Sequence, residues 1–244
     1  MVLPLNLAMT QSEIADVASL PAQIAWMACH FSPSGQGLMN LPAALQEGAM
    51  LILDDSIPCR GHSIDRIVQT LDDLISRLHC HSVLLDFQQA ENEEAAALTA
   101  ALVNALPCPV AAPPEYAKAL ASPVFLPPAP LHMPMEKYLS QWAGREVWLE
   151  AALCQERIVI DRNGTSFSDD FSEQPCNSFD CQKLCCRYTM KVREDHIIFT
   201  LFDTAETLEK KLALASSLGV TRAVGLYQEL GVHFSRTQKP LILR

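Results

Sequence analysis

Four carboxylates stand at or near the ends of short apolar runs, and their chemistry is the first question the chain raises. Asp54 and Asp55 follow the run 50–53, Asp86 comes late in the run 83–87, and Glu150 sits inside VWLEAAL. Two carboxyls about 5–10 Å apart across a cleft can divide acid–base hydrolysis between them, one giving a proton and the other acting as base or nucleophile. Glu150 is the most demanding of the four. An unpaired carboxylate inside a strand is costly to bury, so it requires a partner such as an interior Arg, or a shifted pKa at a site. Gln88 follows Asp86 by two residues, and residues two apart on a strand share a face. Asp86 therefore admits two roles, a structural carboxylate hydrogen-bonded at a strand end or a group that orients a ligand.

Other reactive side chains read more plainly. His30 and His81 are single histidines on apolar strands, where a satisfied core or rim histidine is the ordinary outcome. Cys29 and Cys154 have no neighbouring base except His30, so neither is read as a nucleophile. Cys176, Cys181, Cys185 and Cys186 invite a zinc reading, but they lack paired C-x-x-C knuckles. If 184–192 is a strand, Cys185 and Cys186 point to opposite faces and cannot share one ion. No metal is expected. No phosphate loop, Gly-rich dinucleotide turn or serine elbow occurs, and no cofactor is expected.

The stretch HSVLLDFQ, residues 81–88, resembles the signature strand of glycoside hydrolase family 18, a family of chitinases, spore-wall N-acetylglucosaminidases and related lectins. That strand usually reads D-x-x-D-x-D-x-E. Here His81 takes the first acid's place and Leu84 the second's. Asp86 keeps the third, and Gln88 stands where the proton-donating Glu would be. The resemblance implies a (β/α) barrel with its site at the C-terminal strand ends, and substrate-assisted hydrolysis, in which the sugar's acetamido group attacks the anomeric carbon. A protein acid must still protonate the leaving oxygen. Gln88 has no such proton to give, and losing a general acid forfeits roughly 10²–10⁴ in rate. Where many members carry a Tyr after the sixth barrel strand, this chain reads EAALCQE, with Cys154 near that place.

A second resemblance lies at 202–231, FDTAETLEKKLALASSLGVTRAVGLYQELG. It is similar to the last α/β unit of the same family, where F-x-D-A-x-S leads to a helix, a Gly turn and a final strand ending in an aromatic. The residues agree independently. Asp203 with Glu206 fits a capping box, Leu208, Leu212, Ala215 and Leu218 fall at helical spacing, and Gly219 suits a helix C-terminus. In the family the strand-end aromatic is a Trp that floors a sugar subsite, and Tyr227 is its counterpart here. The resemblance thus implies Asp86, Gln88 and Tyr227 as ligand-binding residues, no catalytic residue, and a non-hydrolytic protein that binds an N-acetylglucosamine-type glycan or amino sugar or serves as a scaffold. The alternative is a glycosidase-like hydrolase with an acid–base pair drawn from Asp54, Asp55, Asp86 and Glu150.

Composition bounds these readings. The chain has 244 residues, 49% of them hydrophobic, enough for a single barrel-sized domain over 1–244 and slightly short of the roughly 250 typical of the plain fold. A formal net charge of −10 argues against nucleic acid or an anionic membrane as partner. Arg60 is the first basic residue, so MVLPLNLAM lacks the n-region of a signal peptide. No apolar run is long enough to span a bilayer. The nine scattered cysteines fit reduced thiols, and the expected location is the cytoplasm or a spore.

The elements that must position these groups follow from periodicity. Residues 24–30 read as the first barrel strand and 50–53 as the next. Ser63 caps a helix whose apolar face is Ile64, Ile67, Val68, Leu71, Leu74, Ile75 and Leu78. A strand at 82–87 and a helix to about 106 follow. Nine of the 16 prolines lie within 107–134, leaving room for short strands near 108–112 and 123–126. A strand at 147–153, a turn at Asn163-Gly164, a mobile loop at 166–179 and a hairpin of 184–192 with 196–201 precede the final α/β unit. The expected fold is α/β, a (β/α)8 TIM-like barrel, incomplete or distorted at about seven strands, with an antiparallel hairpin insertion at about 157–201.

Overall fold

The computed structural model describes residues 3–17, 21–168 and 178–234. In chain order the first elements are strand β1 (Leu5–Met9), helix α1 (Gln11–Asp16), strands β2 (Ile24–Phe31), β3 (Leu38–Met39) and β4 (Met50–Asp54), helix α2 (Ile64–Leu78), strand β5 (Ser82–Asp86) and helix α3 (Glu93–Ala105). Next come β6 (Val110–Ala111), α4 (Pro114–Ala117), β7 (Val124–Leu126), α5 (Met135–Ser140) and β8 (Val147–Glu150). An antiparallel layer then interrupts the alternation: β9 (Gln155–Asp161), β10 (Gly164–Ser168), β11 (Phe179–Cys181), β12 (Cys186–Val192) and β13 (His196–Phe202). Helix α6 (Ala205–Ser217), strand β14 (Val220–Leu226) and helix α7 (Tyr227–Phe234) complete the order.

Eight parallel strands run in the order β6-β5-β4-β2-β1-β14-β8-β7, with β3 paired antiparallel to β2. The two ends of that row meet. Ala112 bridges Val124, its N–H donating to Pro123 O at 3.2 Å, while Phe125 N–H donates to Ala112 O at 2.8 Å. The sheet is thus an eight-stranded barrel closed by a narrow seam, where about seven strands were expected. The strand absent from the expectation is β1, which precedes 24–30 and pairs with both β2 and β14. Its alternation is masked by Asn6, an inward polar residue only 1% exposed, whose amide reaches Ile24 O at 3.5 Å.

The proline-rich stretch completes the barrel. Its strands are only two and three residues long, because each Pro removes a ladder donor. The prolines also start helices: Pro113 and Pro134 occupy N-cap positions and Pro114 the first helical turn, where a missing N–H costs nothing. Helix α2 forms as its periodicity requires, with Ser63 accepting from Arg66 N at 3.4 Å and Ile67, Leu71, Leu74, Ile75 and Leu78 buried. At α6 the cap is one residue later than expected. Thr204, not Asp203, accepts from Thr207 N at 3.3 Å, and Thr207 Oγ1 accepts from Thr204 N at 2.8 Å. Asp203 is buried instead against Lys211, Oδ2 to Nζ 2.7 Å. Gly219 follows the helix at φ +96°, the left-handed geometry a C-terminal stop needs.

Inside the barrel Ala8, Ala25, Met50, Ile52, Leu84, Ala111, Trp148 and Val224 form one apolar cluster. Below it, at the N-terminal ends of the strands, Arg222 stacks on Trp148 at 4.8 Å and donates to Ser82 Oγ at 3.1 Å. Trp148 Nε1 donates to Glu146 Oε1 at 3.0 Å, and Thr221 Oγ1 donates to the same oxygen at 3.0 Å.

The insertion is a five-stranded sheet, β10-β9-β13-β12-β11, rather than a lone hairpin. The expected hairpin is its β12–β13 pair. Residues 164–168, expected as turn and loop, are strand, as are 179–181; residues 169–177, including Cys176, lie outside the described residues. Met190, Phe199, Ile158 and Phe167 are aligned across four strands and give the sheet one apolar face. The sheet is pinned to the proline-rich segment by Glu156, a buried carboxylate that accepts His132 N at 2.9 Å and pairs with the His132 imidazole. Among the described residues no helix is long and apolar enough to cross a membrane.

Candidate functional site

A cavity of about 550 Å³ opens at the C-terminal ends of the barrel strands. Its walls include all four carboxylates singled out from the sequence, Asp54, Asp55, Asp86 and Glu150, together with Gln88 and Gln89. Its floor is the apolar barrel interior: Ala8, Met27, Ile52, Leu84, Phe125 and Val224. The strand register explains the convergence. Asp54 and Asp86 are direct partners on β4 and β5, and Glu150 pairs with Val224 on the opposite wall. None of the lining residues is Lys, Arg or His.

The acids are committed to different degrees. Asp55, 6% exposed, accepts Gln88 N at 2.8 Å and Gln89 N at 3.1 Å, and its own carbonyl accepts from Gln89 Nε2. It fastens the loop after β5, so its charge is already spent on backbone donors. Asp54 Oδ1 accepts Ser56 N at 2.9 Å, a turn contact that leaves its other oxygen to the cavity. Asp86 Oδ1 accepts Gln88 Nε2 at 3.0 Å, so the two side chains share a face as strand period requires. Glu150 has no cation or hydrogen-bond donor among the described residues. The expected interior arginine exists as Arg222, but its guanidinium sits at the barrel base on Ser82 and Trp148.

Electrostatics follow from this packing. Burial raises the Asp86 pKa above its ordinary value; Asp54 and Asp55 push the same way, and the Gln88 hydrogen bond opposes them. Burial also raises Glu150, reinforced by the charges of Asp86 and Glu229. Like-charged, partly desolvated carboxylates behave so because the charged form loses water and meets repulsion. The site can hold a proton near one of these acids, accept hydrogen bonds from hydroxyl or amine donors, and pack an apolar ligand face against Phe125.

Other sequence candidates lie elsewhere. The Tyr227 ring packs beneath Gly231, where a Cβ would come within 2.6 Å of it, and Tyr227 does not line the cavity. His81 sits at the opposite end of β5, beside Gly48, and burial followed by the charge of Arg222 lowers its pKa. His30 is held by Phe31 O and the Asn40 amide at 2.8 and 3.0 Å. Cys29 is buried, its thiol pushed up to about 12 by burial and by Asp54. Cys154 lies outside the cavity, beside Asp203, with its thiol pushed up to about 11, chiefly by burial. Cys185 is in a left-handed turn before β12 rather than within the strand. Phe125 and Gln89 were not anticipated. Phe125 is inconspicuous in sequence because its strand is three residues between prolines. Gly225 also lines the cavity, and a Cβ there would come within 2.5 Å of Ala151 O, so only glycine lets the two walls approach this closely.

No family model matches the chain, and no curated protein matches it in sequence. Its fold is nevertheless that of a glycoside hydrolase family 18-like barrel. Among solved structures it is similar to a family 18 chitinase from Cycas revoluta in complex with (GlcNAc)3, at a TM-score of 0.54 and 9% identity, covering 91% of this chain and 94% of that one. It is similar also to the spore cortex-lytic enzyme SleL of Bacillus cereus, at 0.53 and 10% identity, over 96% of this chain and 72% of that one. A family 18 N-acetylglucosaminidase from Paenibacillus barengoltzii matches at 0.50 and 8% identity, over 91% and 94%. At these identities the likeness establishes the fold.

Proposed function

We propose that this chain binds an amino-sugar-containing glycan at its barrel mouth without hydrolysing it. The observation that carries this reading is the Asp86–Gln88 pair. A neutral amide, hydrogen-bonded to Asp86 at 3.0 Å, stands where the resemblance calls for the proton donor. The pair lines a cavity whose volume suits a small ligand, and which combines an apolar floor with convergent polar groups. The Cycas revoluta chitinase that is similar in fold was solved in complex with (GlcNAc)3, which makes such oligomers the first ligands to try. Titration calorimetry with these oligomers, alongside a hydrolysis assay with a chromogenic N-acetylglucosaminide, tests both halves of the proposal. Saturable binding with no product release supports it. No heat at millimolar sugar removes the binding role and leaves a scaffold.

One observation favours a second reading, a hydrolase of different mechanism. Asp54, Asp55, Asp86 and Glu150 share one cavity, and burial raises the pKa of both Asp86 and Glu150, as a general acid requires. Hydrolysis by the unmodified protein that disappears in both Asp86→Ala and Glu150→Gln would replace the first reading with this one.

A further inference from the structure

The antiparallel sheet sets two thiols against each other outside the lining of the mouth cavity. Cys181 ends β11, Cys186 opens β12, and the two are register partners across the strand pair. Directly opposed residues in an antiparallel pair have Cα atoms about 4.5 or 5.5 Å apart, depending on the pair type. Both spacings fall within the roughly 4.4–6.8 Å that a disulfide bridges. Both thiols are free, and Cys181 packs against the buried cluster that contains Cys186. The connection between them is already closed by the short helical turn Gln182–Leu184 and by Cys185 at φ 49°. Linking the sulfurs therefore adds little loop-closure entropy. Exposure differs across the pair: Cys181 is half-buried, whereas Cys186 packs with Leu131 and Leu201 at 2% exposure.

We propose that Cys181 and Cys186 form a reversible redox pair that closes to a cross-strand disulfide by exchange with a low-molecular-weight disulfide of the glutathione type. The Cys181 thiolate attacks one sulfur of the reagent, whose S–S bond breaks to release one thiolate and leave a mixed disulfide on Cys181. Cys186 gives up its proton, and its sulfur attacks the Cys181 sulfur and expels the second reagent thiolate. The protein loses two electrons and two protons, and the reagent takes up both as two thiols. Burial pushes the Cys186 thiol up to about 12, which slows the second step and makes it faster at higher pH; the register that holds the two residues directly opposed offsets this. Cys185 is the obvious competitor, but it has no register partner and its thiol donates to Gln182 O at 3.6 Å. The link would tie the three-residue edge strand β11 to its neighbour.

The test uses the full chain, reduced and then equilibrated in graded mixtures of oxidised and reduced glutathione, acid-quenched, alkylated and digested with trypsin. Cleavage after Lys183 separates the two cysteines, so only a disulfide keeps their peptides together. The expected product is that joined pair, lighter by two hydrogens than its separate peptides and released by dithiothreitol. Its yield should be unchanged in Cys185→Ser and reduced by about tenfold or more in Cys181→Ser and Cys186→Ser. Cys181→Ser carries the test if the buried Cys186 variant folds poorly. Recovery of both thiols alkylated across the whole series overturns the proposal. A link that survives Cys181→Ser, or a glutathione adduct that stays on Cys181, does so equally.

Discussion

The two ends of the barrel handle polar groups in opposite ways. At the base, Arg222, Trp148, Ser82 and Glu146 satisfy one another by stacking and hydrogen bonds. At the mouth, four carboxylates converge with no cation among the lining residues, and Glu150 has no donor among the described residues. Buried polar groups in a finished core are paired, so the base reads as the part that holds the fold. The mouth tolerates repulsion and desolvation that stability alone would not select, as binding and catalytic sites do. The same strands carry both: Arg222 and Val224 on β14, Ser82 and Asp86 on β5.

The contrast breaks most visibly at Trp148. Trp148→Ala removes a side chain only 1% exposed and leaves Arg222 without its stacking surface, and should cost about 3–5 kcal/mol in urea unfolding. A loss below about 1 kcal/mol would mean that the base is not what holds the barrel. The mouth should show the reverse profile. Asp86→Ala is expected to weaken N-acetylglucosamine oligomer binding by about ten- to a hundredfold with little change in the unfolding midpoint. Phe125→Ala should weaken it by about tenfold through lost stacking. Calorimetry and denaturation on the same samples separate the two effects.

A smaller effect concerns pH. Asp86 and Glu150 have folded-state pKa values raised above those of the unfolded chain, chiefly by burial. The unfolded chain therefore gives up these protons first, and stability falls as pH climbs from the ordinary carboxylate range through the raised values. Glu150→Gln should flatten that decline and raise the melting temperature near neutrality by about 2 °C; a lower melting temperature would show that Glu150 has a stabilising partner. The smallest expected change is in Gln88→Glu. It restores a carboxyl beside Asp86, yet no hydrolysis of a chromogenic N-acetylglucosaminide should follow, because Leu84 stands in place of a second acid and substrate positioning matters as much as the proton donor. Turnover by that variant would show that a single substitution separates binding from catalysis here.

Why the mouth was legible in sequence, and other parts were not, comes down to local signal. Asp54, Asp86 and Glu150 interrupt apolar runs, and a polar residue late in a buried strand points to one end of the barrel. Helix α2 announced itself through its apolar stripe and Ser63. Strand β1 did not, because Asn6 faces inward and the run is short. Strand β10 did not either, since all its residues are exposed and NGTSFS reads as a turn and loop. The sequence points to an interior arginine as the partner of Glu150, and Arg222 is interior, but sequence carries no measure of depth along the barrel axis. Tyr227 and Phe125 show the same limit: which aromatic reaches the cavity depends on where a strand stops and a helix begins.

The seam between β6 and β7 has a consequence for self-association. Only two backbone hydrogen bonds close the ring there, so Ala112 and Phe125 amides should exchange with solvent before those elsewhere in the sheet. An opened ring would present two raw strand edges, which are ready templates for pairing with other chains. Here Pro109, Pro113, Pro123 and Pro127 bracket both short strands, and a proline edge offers no N–H to a newcomer. The same residues that keep the seam narrow thus make an opened barrel a poor template, so transient opening would end in reclosure rather than in aggregates.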